Sequence, residues 1–76
     1  MKNLNFFSER VKQLRIDNNL SQPVLGKAVG LSKQAINDME HGRSKTTLDK
    51  AMIIADYFNV SIDYLVGRTN TPEVNK

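Results

Sequence analysis

Lys33, Gln34, Asn37 and Asp38 carry an ammonium, two carboxamides and a carboxylate at relative positions i, i+1, i+4 and i+5. On a helix these positions form one continuous strip. The head groups complement the edges of DNA base pairs. A carboxamide can pair in bidentate fashion with adenine, an ammonium can donate to guanine acceptors, and a carboxylate can accept from the cytosine amino group. An ordinary solvated helix face is also polar, so the reading depends on what surrounds the strip. Asp38 is the least expected of the four, because its charge repels phosphate.

The surroundings are specific. Ser21 stands ahead of Gln22, Pro23 and Val24, and a serine just before a first-turn proline starts a helix, since the first-turn amides need no internal partner. Leu25, Ala28 and Val29 then share one face. Gly26 costs about 1 kcal/mol against alanine in a helix, which implies a second helix crossing close to its backbone. Gly30 can take the left-handed conformation that ends a helix, Leu31 plugs the corner, and Ser32 is placed to cap a new helix from Lys33. Ile36 and Met39 continue the buried side, and Gly42 closes the helix. The stretch from Gln22 to Met39 therefore reads as a helix-turn-helix, with the polar strip on the outer side of its second helix.

Two features bear on a phosphate backbone. The start of the helix at Ser32 and Lys33 presents hydroxyl and amide donors that suit an anion. Past Gly42, Arg43-Ser44-Lys45-Thr46 places two cations and two hydroxyls immediately after the reading helix, where they could grip phosphates.

Further helices must hold this unit. Phe7, Val11 and Leu14 mark an amphipathic helix from about Phe6 to Asn18, with Glu9, Arg10, Lys12 and Gln13 outward. Thr47 caps a helix carrying Leu48, Ala51, Ile54, Ala55 and Phe58, with Asp49 in its first turn and Asn59 as a left-handed stop. Ser61 caps a last short helix with Ile62, Leu65 and Val66, ending at Gly67. No strand is convincing. The expected architecture is an all-α, compact five-helix bundle containing a helix-turn-helix, one domain over residues 1–67, with 68–76 a flexible tail or the start of a linker.

Composition agrees. The 76 residues give room for one modest core. Residues 1–50 carry nine Lys or Arg against five Asp or Glu, while residues 51–76 carry two against three, so the net +3 is concentrated on the helix-turn-helix side. Basic surface gives affinity for a polyanion without sequence choice. With no cysteine and His41 the sole histidine, thiolate metal sites are excluded and no cofactor or metal is expected. His41 reads as a surface residue at a helix end. The serines lack a nearby base and the aspartates fall on different helices, so neither catalysis nor a small-molecule substrate finds support. No apolar run nears eighteen residues and no charged-then-apolar leader is present, so a soluble cytoplasmic protein with no membrane partner is expected.

Residues Arg10 to Gly67, about three-quarters of the chain, resemble the lambda-repressor and Cro-like helix-turn-helix family, also called the XRE family. The matching stretches are Arg-Val-Lys-Gln-Leu-Arg at 10–15, Leu-Ser-Gln at 20–22, Val-Gly-Leu-Ser at 29–32, Ile-Asn-Asp-Met-Glu-His-Gly at 36–42, and Val-Ser-Ile-Asp-Tyr-Leu-Val-Gly at 60–67. The resemblance implies a sequence-specific DNA-binding regulator, often a repressor, working as a homodimer on a palindromic operator in double-stranded DNA, and encoded by a bacterium or phage. It implies that Gln22 holds a phosphate and braces a reading-helix side chain, and that Ser32, Lys33, Gln34 and Asn37 face bases or phosphates. Arg43, Ser44 and Lys45 match the backbone-gripping loop. Arg15 and Glu40 match an ion pair between the first and third helices. Pro23 and Gly26 depart from the pattern, as acidic residues and alanine are commoner there, so the target sequence does not transfer. Val60, Ile62, Tyr64 and Val66 are candidates for the dimer surface where they remain exposed; Ile62 and Leu65 equally suit the core. A rival class is an antitoxin-like or regulatory module whose main partner is a protein, with DNA binding secondary.

Overall fold

The structure, a computed structural model, describes residues 3–43 and 47–72, with side chains from Phe6 onward. Five helices follow in chain order: α1 (Asn3–Asp17), α2 (Gln22–Val29), α3 (Lys33–His41), α4 (Leu48–Phe58) and α5 (Ile62–Leu65). Among the described residues there is no strand.

Each boundary has a local cause. Ser21, Ser32, Thr47 and Ser61 hold extended backbone and accept from the amide three residues on, Val24, Ala35, Lys50 and Tyr64 respectively. Each thus satisfies an amide with no partner inside its helix. Gly30 (φ 77°), Gly42 (φ 65°) and Asn59 (φ 57°) end α2, α3 and α4 in the left-handed region. Asn19 (φ 58°) reverses the chain after α1. Leu20 follows and donates its amide to the Arg15 carbonyl at 3.0 Å.

The core is one cluster of Phe7 and Val11 from α1, Leu25 and Val29 from α2, Ile36 and Met39 from α3, Ala51, Ile54 and Ala55 from α4, then Val60 and Leu65. Its largest members are fully enclosed, and burying each contributes about 1.5–3 kcal/mol relative to exposure. Leu14, Leu20, Leu31, Phe58, Ile62 and Tyr64 seal its edges. α3 packs against both α1 and α2, which leaves its remaining side outward.

Four sequence expectations need correction, and a fifth, at Gly26, is made specific. Ala28 is exposed, because the buried strip of α2 runs through Leu25, Gly26 and Val29 and turns Ala28 away. The close approach at Gly26 is made by the turn entering α3 and by its N-cap, Ser32. A Cβ there would lie 2.5 Å from the Leu31 carbonyl oxygen and 3.3 Å from Ser32, so it is the turn that folds onto the α2 backbone. Leu48 is 66% exposed and lies outside the core. Arg10 is not simply solvated: its guanidinium lies 4.0 Å from the Tyr64 ring centroid and donates to the carbonyls of Tyr64 (2.8 Å) and Thr69 (3.0 Å) and to Asn70 Oδ1 (2.9 Å). Val60 is buried and drops out of the dimer candidates, whereas Ile62, Tyr64 and Val66 stay partly exposed. The segment after Gly67 is tied back through Arg10 and through the Ser61 amide, which donates to the Pro72 carbonyl at 2.9 Å.

Candidate nucleic-acid interface

α2 and α3 meet at the turn of Gly30, Leu31 and Ser32. The amides of Gly30 and Leu31 both donate to the Gly26 carbonyl, the latter at 2.8 Å, locking the corner onto α2. Leu25 and Ile36 are both fully buried beneath it. The corner therefore fixes how far α3 stands out from the body.

The inner side of α3 is pinned by an ion pair. Arg15 Nε donates to Glu40 Oε2 at 2.6 Å and its Nη2 to Oε1 at 3.0 Å, a two-pronged grip. The Glu40 side chain is 1% exposed. Arg15 Nη1 also donates to the Leu20 carbonyl at 2.8 Å, so one guanidinium ties α1, the first turn and α3 together. Hydrogen bonding to Glu40 raises the Arg15 pKa above its ordinary value; burial opposes this and the Glu40 charge adds to it. The ion pair between α1 and α3 that the resemblance implies has this geometry.

From Glu40 the hydrogen bonds continue outward. Gln22 Nε2 donates to Glu40 Oε1 at 3.1 Å, and Asn37 Nδ2 donates to Gln22 Oε1 at 3.2 Å. Arg43 Nη1 donates to Asn37 Oδ1 at 2.6 Å and reaches Asp38 Oδ1 at 3.4 Å. Gln34 Nε2 donates to the same Asp38 oxygen at 2.9 Å. The sequence Arg15, Glu40, Gln22, Asn37, Arg43, Asp38, Gln34 is thus one connected network running from the α1 interface to the exposed side of α3. Rotamer freedom lost to such a network when the chain folds is not lost again on binding.

The expected site residues fall into distinct places. Lys33 and Gln34 are exposed on the first turn of α3, and Asn37 and Asp38 are half-buried one turn on. Ser32 uses its hydroxyl oxygen to accept from the Ala35 amide at 3.0 Å, which leaves its O–H proton for an outside acceptor. Gln22 sits between Glu40 and Asn37 as a brace. His41 is exposed, with Nδ1 2.8 Å from the Asn37 carbonyl oxygen. Ser44 and Lys45 lie outside the described residues. Arg43 is described, and it folds back over the C-terminal end of α3 instead of pointing away along the loop.

That return of Arg43 was not anticipated from the sequence, although a signal for it exists. Gly42 is left-handed, and the Arg43 amide donates to the Asp38 carbonyl at 3.0 Å, the six-to-one bond of a glycine-terminated helix. Such a stop reverses the chain, so a long side chain just after the glycine can reach the helix it has left.

A helix-turn-helix family model matches residues 11–65. The HTH-type transcriptional regulator YobD of Bacillus subtilis is 33% identical over 67 residues, covering 88% of this chain and 60% of the relative. The HTH-type transcriptional activator BcrR of Enterococcus faecalis is 33% identical over 61 residues, covering 80% of this chain and 30% of the relative. The chain thus spans less than two thirds of either relative. Among solved structures, the SOS-response transcriptional repressor LexA from Eubacterium rectale superposes with a TM-score of 0.80 at 27% identity, covering 87% of this chain and 70% of that one. The restriction-modification controller protein C.AhdI from Aeromonas hydrophila gives 0.77 at 25% identity, covering 86% and 98%. Arrangement and sequence agree: the chain belongs to the lambda-repressor-like helix-turn-helix family of DNA-binding transcriptional regulators, which is not an enzyme class.

Proposed function

We propose that this chain binds double-stranded DNA sequence-specifically and represses transcription, inserting α3 into the major groove as a homodimer on a palindromic operator. One observation carries the reading: α3 is locked on its inner side through Glu40 while Lys33 and Gln34 stand exposed on its first turn. A rigid helix that offers donors and acceptors outward is what base readout in the major groove requires.

In this reading Lys33 and Gln34 meet base edges, with Asn37 and Asp38 one turn behind them in the same groove-facing strip. The Ser32 hydroxyl, Gln22, Arg43 and the loop residues Ser44 and Lys45 contact the sugar-phosphate backbone. The DNA-binding unit spans residues 1–67, and Thr69, Asn70 and Pro72 are held against it by Arg10 and Ser61. Repression is favoured because occlusion of a promoter needs only the DNA contact, whereas activation needs a further surface for polymerase. LexA is named a repressor and BcrR an activator, so a promoter fusion is the test of sign.

Four exposed apolar side chains on α4, namely Leu48, Met52, Ile53 and Tyr57, support self-association, together with partly exposed Ile62, Tyr64 and Val66. Among the described residues no helix is long and apolar enough to cross a membrane. A cytoplasmic protein acting on nucleoid DNA accords with this.

Selection of bound sequences from a random duplex pool tests the reading. It predicts an enriched motif with two inverted half-sites about 10–10.5 base pairs apart, or a multiple of that spacing. A single ungrouped half-site would refute the dimer, and no enrichment at all would refute sequence-specific binding.

A further inference from the structure

The carboxylate in the reading strip requires an explanation, because a negative charge facing DNA costs affinity. Asp38 is the hub of the outer network: Oδ1 accepts from Gln34 Nε2 at 2.9 Å and lies 3.4 Å from Arg43 Nη1. Its side chain is 28% exposed, against 55% for Arg43, so the carboxylate is partly covered by the groups that surround it. Gln34 and Asp38 are four residues apart on one helix face, the spacing at which a glutamine amide and a carboxylate meet.

We propose that Asp38 is a positioning residue for base recognition and not itself a base reader. This inference rests on the DNA-binding reading given above. By taking one Nε2 proton of Gln34, the carboxylate fixes which end of that amide is which. Gln34 then offers Oε1 as an acceptor beside a remaining N–H donor. An adenine edge, with its N6 amino donor and N7 acceptor, complements that pair. A guanine edge, with acceptors at both O6 and N7, sets oxygen against oxygen. An unheld carboxamide can turn over and present its donors instead, which lets guanine in. The same carboxylate balances Arg43, whose other contact, Asn37 Oδ1 at 2.6 Å, joins this hub to the brace from Gln22. Asp38 thus trades overall affinity for a defined orientation of Gln34.

The test is duplex selection with the full chain as wild type, Asp38→Asn, Asp38→Ala, Gln34→Ala and the Asp38→Ala/Gln34→Ala double variant, each checked for an unchanged melting temperature. Wild type is expected to prefer adenine over guanine by about tenfold or more at one base pair per half-site. Asp38→Ala should bring that preference near unity at the same base pair that Gln34→Ala affects, and the double variant should add nothing to Gln34→Ala. Asp38→Asn can accept from Gln34 Nε2 or donate to Gln34 Oε1, so it should keep only part of the preference while binding all sequences more tightly. Three results would overturn the proposal: a change at a different base pair, a further change at that pair in the Gln34→Ala background, or an unaltered preference in Asp38→Ala. The first two would make Asp38 a direct reader, accepting from cytosine. Absence of an enriched motif with the wild type would overturn the DNA reading together with this inference, whereas a wild-type motif untouched by Asp38→Ala would overturn this inference alone.

Discussion

Arg15 on α1 grips Glu40 on α3 through two nitrogens, at 2.6 and 3.0 Å, and this pair ties α3 to α1. Glu40 accepts a third bond from Gln22. Truncating one side leaves a guanidinium or a carboxylate partly buried without its partner. Glu40→Ala is therefore expected to cost about 3–5 kcal/mol of folding stability, while an Arg15→Met/Glu40→Leu double substitution should cost far less. Urea denaturation of the two variants measures the difference. A raised arginine pKa contributes stability that is fully present below the unfolded value and lost only as pH climbs through the folded one. The arginine side of the pair should thus add no pH dependence at neutral pH, and should show itself only in strong alkali.

The corner between α2 and α3 depends on a missing side chain. A Cβ at Gly26 would sit 2.5 Å from the Leu31 carbonyl oxygen, which belongs to backbone and cannot swing aside. Gly26→Ala is expected to lose about 1–3 kcal/mol, or very roughly 4–8 °C of melting temperature for each kcal/mol in a domain of this size. Gly30 is constrained differently, with φ 77° and nothing within 4 Å of its Cβ position. Gly30→Asn should therefore be tolerated better than Gly30→Ala, since asparagine accepts the left-handed region more readily. At Gly26, asparagine should be at least as damaging as alanine.

Much of this was legible in the sequence because it is local. The caps at Ser21, Ser32, Thr47 and Ser61 and the stops at Gly30, Gly42 and Asn59 each act within four residues, so the pattern placed α3 at Lys33–His41. Arg15 and Glu40 came from the family resemblance, being 25 residues apart. What escaped the sequence depends on long side chains or on how a helix is rotated. Ala28 shares helical spacing with Leu25, and only the packing of the turn onto Gly26 turns it outward. Arg10 looked solvated because its partners lie more than fifty residues away.

Arg10 gives a separable prediction. It sits over Tyr64 and holds the backbone of Thr69, near the middle of α1, with partners separate from those of the Arg15 and Glu40 pair. Arg10→Ala should speed amide hydrogen exchange and proteolysis in residues 68–72, with DNA affinity unchanged within about twofold, because a local opening need not unfold the rest. A large fall in affinity would place Arg10 in the interface.

Base and backbone contacts should separate by substitution. Gln34→Ala is expected to cost about 1–3 kcal/mol on the preferred sequence and to relax choice at one base pair. Lys45→Ala should weaken every sequence alike and lower the salt slope by about one. Binding isotherms on preferred and scrambled duplexes at several salt concentrations distinguish the two. Equal effects of both variants on every sequence would contradict the assignment.

The most direct test of α3 as a DNA reader is an electrophoretic titration of the wild-type chain on its selected duplex against competitor DNA over a salt series. The proposed function predicts at least about a thousandfold preference for the selected duplex and an affinity that falls steeply and linearly in log–log form as salt rises. Binding that is indifferent to salt, or that the competitor abolishes at parity, would contradict it.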